Sequence, residues 1–517
     1  MSSGAGALTA TRAFCVGDLV AGISVALVLV PQAVAYAALA GLPPVCGLYA
    51  AVLPPILAAF FVSSPYLQTG PVAMTSVLTF AALAAHATPG TTAYIEDAAA
   101  LALIVGLVRV AIGVLRAGFV AYLMSQPVLT GFTTAAALLI MASQFPTLAG
   151  MAADGGILAG ASRVVLNPGE WCAQSLGIGA ASMAVILGGR RLHRLFPGVL
   201  VAVVLGILWQ ESGFFHGALV GPLPSGLPTF GWSLSFDHLR ELLLPGVIIA
   251  VVGFAEPAAV ARTMATRDRE PWSADRELIS QGVANLAAGI SGGFPVGGSF
   301  TRTSLNRLAG GRTRWSGAIT GVAVLAFLPF AGVLADLPRA VLAAILIVSA
   351  QPLVALGALW RMVSVSRAQA AVGWLTFVLT LALAPRVDLA ILGGIGLGVA
   401  VHLWRERRIV VNSVWDETSR TLTLVPIGVV YFGSANVIDD ALIDELARHP
   451  AAKSVLIDLR KVGRIDYTGM LVIQNIANDA ALAGLELRIV PGQPPQGVRL
   501  LERVLGADSP FIVRESS

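Results

Sequence analysis

The chain has 517 residues, of which 56% are hydrophobic and only 12% are charged, with a mean hydropathy of +0.80. Soluble proteins carry about 25% charged residues, so this composition excludes a chain that is soluble throughout. The net charge of +4 does not indicate nucleic-acid binding, because membrane proteins collect basic residues at the cytoplasmic ends of their helices. The three cysteines, Cys15, Cys46 and Cys172, match no metal-ligand spacing, and we expect no disulfide framework.

Apolar runs of about 20 residues, the length that crosses a bilayer core, follow one another from Asp18 to Leu403. We therefore predict a cytoplasmic segment over 1–17, a transmembrane domain over 18–405 and a soluble cytoplasmic domain over 406–517. The transmembrane domain is predicted to be two repeats, 18–212 and 241–405, of seven spans each. The spans are 19–37, 45–62, 71–86, 97–115, 127–147, 172–189, 197–212, 242–265, 277–292, 299–309, 315–335, 338–357, 368–384 and 387–404.

The arginines predict the orientation of these spans, because cytoplasmic loops carry an excess of basic residues. Four arginines fall in the predicted outer loops: Arg163, Arg240, Arg339 and Arg386. Those of the predicted inner loops are Arg116, Arg190, Arg191, Arg194, Arg262, Arg267, Arg269, Arg276, Arg307, Arg312, Arg314, Arg361, Arg367, Arg405, Arg407 and Arg408. We therefore expect a multi-pass protein of the plasma (inner) membrane with both termini in the cytoplasm.

Seven spans in each half predict an inverted repeat, and polar breaks occur at corresponding places. Pro31-Gln32 interrupts the first span of one half, and Glu256-Pro257 interrupts that of the other. The third spans open on Thr69-Gly70-Pro71-Val72 and Gly297-Gly298-Ser299-Phe300. Short segments interrupted by Gly and Pro at corresponding places indicate a transporter's binding site. Two half-helices whose N-termini meet at the midplane would attract an anion.

The second half-helix carries the candidate anion ligands. Arg302 lies one turn into it, and its planar guanidinium suits oxyanions. The alternative is an arginine that only snorkels to the cytoplasmic interface. The hydroxyls of Ser299, Thr301 and Thr303 could donate to the anion or bond back to helix carbonyls.

Glu256 is the only acidic residue well inside a predicted span, and an intramembrane carboxylate is a candidate functional group. Burial favours its neutral form and a nearby Arg302 favours its charged form, so Glu256 could carry a proton through a transport cycle. The alternatives are a static ion pair with Arg302 and a sodium ligand. Sodium needs additional oxygens, and Val260, one turn later, offers none.

Gln32 and Tyr36 lie one turn apart on the first span and could line the pocket from the opposite side, although Tyr36 could instead be a packed aromatic. Val72 and Ala73 would contribute backbone N–H groups. The sequence contains no metal-ligand pair of histidines, no Walker loop and no evident nucleophile–base pair, so we expect no metal, no cofactor and no enzyme activity.

Four stretches of the sequence resemble a known family. The stretches VPQAVAYAALAGLPPVCGLYAA from Val30, TGPVAM from Thr69, VVGFAEPAAVARTMA from Val251 and GGFPVGGSFTRTSLNRLAGGRT from Gly292 are similar, in this order, to the sulfate permease (SulP) family, solute carrier family 26 in animals. The resemblance implies fourteen spans in two inverted repeats, a core and a gate domain, and a homodimer. It places the anion site at Gln32, Tyr36, Val72, Ala73, Phe300, Thr301 and Arg302.

The family's coupling-ion position falls on Glu256. Members that use sodium have an aspartate there and a hydroxyl residue one turn later, so this chain departs at both positions, which favours a proton. The resemblance therefore implies a secondary active transporter that works by alternating access, with proton symport of a small oxyanion. Sulfate is the first expectation, and bicarbonate or a C4-dicarboxylate such as fumarate or succinate is the alternative. An uncoupled exchanger, channel or motor and a membrane sensor remain as other classes.

The soluble tail is similar to a STAS domain, a small α/β module. We predict strands in TLTLVPIGVVYFGSA, an amphipathic helix over Val437–Arg448, a buried strand over Ser454–Leu459 and a helix that opens near Asp466. Thr468 matches the position that is phosphorylated in soluble antagonists of the family, which makes it a candidate regulatory residue. A helix N-terminus capped by Asp466 explains the same residues without regulation.

Overall fold

The computed structural model describes residues 14–84, 86–122, 124–152, 156–193, 195–224, 226, 238–406, 409–492, 503, 509 and 511–512. Most of the predicted segment 1–17, together with Arg194, Arg407 and Arg408, lies outside these residues. The chain divides into two compact units, Met1–Ile395 and Gly396–Ser517.

The first half of the membrane unit follows the first seven predicted spans. Its helices are α1 (Val16–Leu39), α2 (Pro44–Ala50), α3 (Leu53–Phe61), α4 (Ala73–Leu83), α5 (Thr92–Val114), α6 (Gln126–Ala149), α7 (Ile157–Leu166), α8 (Ala173–Leu192) and α9 (Gly198–Glu211). The predicted span 45–62 is broken into α2 and α3, because Pro54 and Pro55 suit the first turn of a helix and not its interior. Helix α7 is absent from the predicted map, since its ten residues are too few for a span.

The second half follows the last seven predicted spans. Its helices are α10 (Leu239–Asp268), α11 (Ala274–Ile290), α12 (Phe300–Leu308), α13 (Trp315–Phe327), α14 (Arg339–Ala350), α15 (Leu356–Val365), α16 (Arg367–Ala382) and α17 (Val387–Glu406). The predicted end of span 338–357 is wrong, because α14 stops at Ala350 and a 3-10 turn, Gln351–Leu353, follows. Pro352 within that turn cannot continue an α-helix, and α15 begins as a separate element.

Eight helical segments of the described residues are long and apolar enough to cross a membrane by length and composition. Each of the fourteen predicted spans coincides with a helix or a broken helix, which confirms the polytopic α-helical fold. One short strand precedes the third predicted span of each half: β1 (Thr69–Gly70) lies before α4 and β2 (Gly297–Gly298) lies before α12. They pair with each other and link the two halves.

Helix packing divides the membrane unit into two groups. In the first, α11 packs on α5 and α3, α10 on α5 and α4, and α1 on α13, α2 and α12. In the second, α6 packs on α16, α14 and α7, and α8 on α14 and α9. We name α1–α5 with α10–α13 the core group, and α6–α9 with α14–α16 the gate group. The core group contains both strands and both short helices, α4 and α12.

From Val410 onward, the described residues of the second unit form a five-stranded sheet and two helices. Its elements are β3 (Val410–Asp416), β4 (Thr421–Val430), α18 (Asn436–Arg448), β5 (Ser454–Asp458), β6 (Val462–Ile465), α19 (Tyr467–Leu482) and β7 (Glu486–Val490). The strand order is β3-β4-β5-β7, with β6 paired to β4, and only the β3–β4 pair is antiparallel. Alternate residues of β4 and β5, such as Leu422 and Val455, pack with Ile473 of α19 in the buried core. The predicted α/β domain is confirmed.

Candidate functional site

The two short helices begin at one place in the core group. Thr69 of β1 lies opposite Gly298 of β2, and Gly70 lies opposite Gly297. Each strand leads into a helix within three residues, so the pairing brings the N-termini of α4 and α12 together. The first turn of a helix carries backbone N–H groups without intrahelical acceptors and the positive end of the helix dipole. Within the described part of the chain, no side chain caps α4 at Val72, so the first turn of this helix lacks a side-chain acceptor at its cap.

Glycine is required at this crossing for two different reasons. Gly70 has a φ of +153°, a conformation that residues with a side chain rarely adopt. At Gly298 the constraint is space, because a Cβ there would lie 2.8 Å from Leu67 Cδ1 and 3.1 Å from Pro257 Cβ. The glycine-rich breaks in the sequence therefore permit the close approach of β1 and β2.

Arg302 reaches across from α12 to the start of α4. Its side chain is 1% exposed, and Nη1 donates a hydrogen bond to the Pro71 carbonyl oxygen at 2.8 Å. Among the described residues, Nε and Nη2 have no hydrogen-bond partner. A buried donor without an acceptor costs about 1–3 kcal/mol, and more when it is charged. These two donors, beside two helix N-termini, are suited to an oxyanion, and the snorkelling alternative is wrong because the guanidinium is buried.

Helix α1 forms the opposite wall of the site. Gln32 and Tyr36 are both buried, one turn apart. Gln32 Nε2 donates to Ser349 Oγ on α14 at 3.4 Å, while Gln32 Oε1 has no partner within the described chain. The Tyr36 side chain lies close enough to Arg302 and Glu256 to interact electrostatically with both. The structure therefore brings together side chains that the sequence places far apart.

Glu256, on α10, lies at the N-terminus of α12. Its carboxylate is within hydrogen-bonding reach of the Phe300 backbone N–H and interacts electrostatically with Arg302. No described carboxylate forms a direct ion pair with the Arg302 guanidinium, so the static ion-pair alternative is not seen. The Phe300 N–H is one of the groups that we predict to bind the anion. Glu256 therefore lies at one of the helix ends that we predict to bind the anion.

The three hydroxyls of the α12 start have different surroundings. Ser299 Oγ accepts from the Arg302 backbone N–H at 3.4 Å, so it caps the helix. Thr303 Oγ1 accepts from the Gln68 backbone N–H at 3.1 Å, which directs it to the scaffold and away from the site. Thr301 is partly exposed, with its Oγ1 3.2 Å from Ser299 Oγ. Thr301 therefore differs from Ser299 and Thr303, whose hydroxyls each accept a hydrogen bond from a backbone N–H.

Sequence reasoning missed three polar residues of the core and gate groups. Ser349 is a partner of Gln32, and only its polarity inside an apolar run could have indicated it. Glu277 is fully buried and accepts hydrogen bonds from the Ser64 N–H at 3.0 Å and Trp272 Nε1 at 3.2 Å, which makes it part of the scaffold. Arg109 is a charged residue inside the predicted span 97–115. Because a charge inside a membrane is costly, its position could have indicated a structural or functional role.

Thr468 lies in the other unit, in the first turn of α19, and is exposed. Asp466 caps this helix, because its Oδ1 accepts from the Gly469 N–H at 2.7 Å and its Oδ2 from the Phe432 N–H at 3.3 Å. The capping explanation of this motif therefore holds geometrically. Exposure leaves the Thr468 hydroxyl accessible for modification.

The chain is similar to known membrane proteins over most of its length. A model of the "Sulfate permease family" matches residues 15–376, and a "STAS domain" model matches residues 413–508. A Mycobacterium tuberculosis protein named "Probable sulfate transporter" is 35% identical over 366 residues, which are 68% of this chain and 64% of that protein. The chain thus spans slightly less than two thirds of that relative.

Two solved structures share the fold. The murine solute carrier 26 family member A9 anion transporter, in its inward-facing state, superposes with a TM-score of 0.87 at 20% identity and covers 97% of this chain and 90% of that chain. The transmembrane domain of a cyanobacterium bicarbonate transporter has a TM-score of 0.64 at 25% identity and covers 73% of this chain and 97% of that chain. With the first family model matching well over half of its residues, the chain belongs to the sulfate permease family.

Proposed function

We propose that the protein is a secondary active transporter that carries a small oxyanion together with a proton. The observation that carries this proposal is the pair of unpartnered donors of buried Arg302 beside the N-termini of α4 and α12. Charge-assisted hydrogen bonds from such donors contribute about 1.5–3 kcal/mol each. The relatives are transporters and not enzymes, which supports an anion-binding role for this site.

Sulfate is the first substrate that we propose, and bicarbonate or a C4-dicarboxylate is the alternative. The Mycobacterium relative is named for sulfate and one structural relative for bicarbonate. The bonding groups of the site, which are N–H donors and one guanidinium, suit any of these oxyanions. We propose as binding residues Gln32, Tyr36, Val72, Ala73, Phe300, Thr301 and Arg302.

The position of Glu256 supports the proposal of proton coupling. A charged carboxylate at the Phe300 N–H competes with the anion for the same helix end and repels it, since the two negative charges share one buried site. Protonation removes the repulsion and weakens the carboxylate's hold on the N–H. The anion and the proton are therefore expected to bind together and to leave together.

Alternating access would move the core group past the gate group. The proposed binding residues lie on α1, α4 and α12, or in the case of Val72 at the cap of α4, and Glu256 lies on α10. All four helices belong to the core group. Gln32 and Tyr36 both hydrogen-bond Ser349 on α14 of the gate group, and α1 also packs on α14. We further propose that the protein is a homodimer in the plasma membrane, with the segment 1–17 and the domain 406–517 in the cytoplasm.

The test is uptake into proteoliposomes of labelled sulfate, bicarbonate and fumarate, with and without an inward proton gradient. We expect one substrate to show gradient-stimulated uptake that is lost in Glu256→Gln. The matched control is Glu241→Gln, an exposed glutamate at the start of the same helix, which should behave as wild type. Uptake that ignores both the gradient and the Glu256 substitution would replace the symport proposal by an uncoupled exchanger or channel.

A further inference from the structure

Arg109 is a buried charge that the proposed transport cycle does not use. It lies in the middle of α5 and is 0% exposed. Its guanidinium donates three hydrogen bonds to backbone carbonyl oxygens: Nε to Ala250 at 3.0 Å, Nη2 to Ile249 at 3.2 Å and Nη1 to Val296 at 3.0 Å. All three acceptors are uncharged, and no carboxylate of the described residues pairs with this guanidinium.

The acceptors lie on α10 and directly before β2, which are two segments of the proposed anion site. Ile249 and Ala250 lie on α10, less than two turns before Glu256, and Val296 immediately precedes β2. Val296 is also held by Asn285, which donates to its carbonyl oxygen at 3.1 Å and accepts from its N–H at 2.9 Å. Arg109 thus joins α5 to both the Glu256 helix and the strand that leads into α12.

The guanidinium packs closely against Gly253 of α10. A Cβ at Gly253, one turn before Glu256, would lie 2.8 Å from Arg109 Nη2 and 3.3 Å from Thr75 Cγ2 of α4. Three hydrogen bonds therefore hold the charge at a place where α10 approaches α4. Arginine remains protonated in proteins, and a buried charge is screened much less by salt than an exposed one.

A positive charge placed in a membrane interior without a counter-charge is costly, so it persists where something offsets the cost. We infer that Arg109 is a positioning residue whose fixed charge raises the affinity of the core group for an anion held at Arg302. The inference rests on the proposed function, because it assumes that the anion binds between α4 and α12. Arg109 does not contact the anion, and it acts through the field that it adds and through the carbonyls that it holds.

The field makes a prediction that depends on the charge of the ligand. Coulomb energy scales with the charge of the anion, so a neutral side chain at this position weakens a divalent anion more than a monovalent one. For Arg109→Gln we expect the dissociation constant to rise about tenfold for bicarbonate and about a hundredfold for sulfate. A purely geometric disturbance would weaken both anions by similar factors.

The experiment measures equilibrium binding of sulfate and bicarbonate to the purified full-length protein, with uptake kinetics in parallel. Arg109→Lys keeps the charge and should restore sulfate affinity to within about fivefold of wild type, since a lysine makes fewer of the three bonds. The control is Tyr94→Phe, because Tyr94 lies on α5 like Arg109. This substitution removes the buried hydrogen bond from Tyr94 Oη to the Ala40 carbonyl oxygen without changing the charge, and it should leave both affinities unchanged.

The outcomes separate this inference from the proposed function. Wild-type protein that binds neither anion would overturn the proposed anion site and the inference with it. Wild-type binding with an Arg109→Gln variant that loses both anions equally, or neither, would overturn the inference alone. Failure of both Arg109 variants to fold would assign the residue a structural role only and would also overturn it.

Discussion

Replacing Arg302 by lysine separates its charge from its geometry. Lysine keeps one positive charge but lacks the planar fork, so it cannot hold the Pro71 carbonyl oxygen and present two further donors at once. The anion then loses one to two charge-assisted hydrogen bonds, of which each contributes about 1.5–3 kcal/mol. Taking a loss of one such bond, we expect the dissociation constant of the transported anion to rise about 10- to 150-fold.

The assay is binding of labelled sulfate, or of whichever anion the uptake test identifies, to purified Arg302→Lys. The matched control is Arg307→Lys on the same helix. Arg307 is partly exposed and forms an ion pair with Asp268, with Nη1 2.8 Å from Oδ2. The control should change affinity less than twofold, because an exposed ion pair contributes about 1 kcal/mol or less to stability and Arg307 does not face the site. An Arg302→Lys variant with wild-type affinity would refute the argument that its unpartnered donors bind the anion.

Three further changes test the site, the scaffold of the membrane unit and the second unit. Gly70→Ala should weaken anion binding and lower stability by about 1–3 kcal/mol, because a Cβ at φ +153° is strained and lies 3.5 Å from Arg302 Nη2. Equilibrium binding measures the first effect and thermal melting the second. Asp18→Asn should lower stability by about 2 kcal/mol with unchanged KM, because Asp18 accepts from the Thr313 N–H and Oγ1 at 2.9 and 2.8 Å. Thr468→Ala should leave uptake unchanged, whereas a sensor would lose its output.

The positions of the spans could be predicted because the bilayer sets the length of an apolar helix, whatever the side chains inside it. The same rule fails where a helix is short or lies along the surface, and it therefore missed α7 and α15. It also overran the end of α14, where Pro352 interrupts the helix although the apolar run continues. Composition measures the length of a run, and proline chemistry decides where the helix inside it ends.

The site was only partly predictable, because its geometry depends on pairing between segments far apart in the sequence. The breaks at Thr69 and Gly297 indicated two half-helices, but nothing local indicated that Gly70 would lie opposite Gly297. The local sequence also does not separate the hydroxyls of α12. Thr303 accepts from the Gln68 N–H and is buried, whereas Thr301 is partly exposed, although the two residues look equivalent in the sequence.

The division of the site between the two helix groups bears on how the anion could move. Each proposed binding residue belongs to the core group, and Ser349 of the gate group meets them through neutral hydrogen bonds with Gln32, at 3.4 Å, and with Tyr36. A bond of this kind contributes about 1 kcal/mol net, far less than the bonds that Arg302 can offer an oxyanion. A relative displacement of the groups therefore breaks the weaker link and keeps the stronger ones. The anion would travel with α4 and α12, and Glu256 on α10 would carry its proton over the same path.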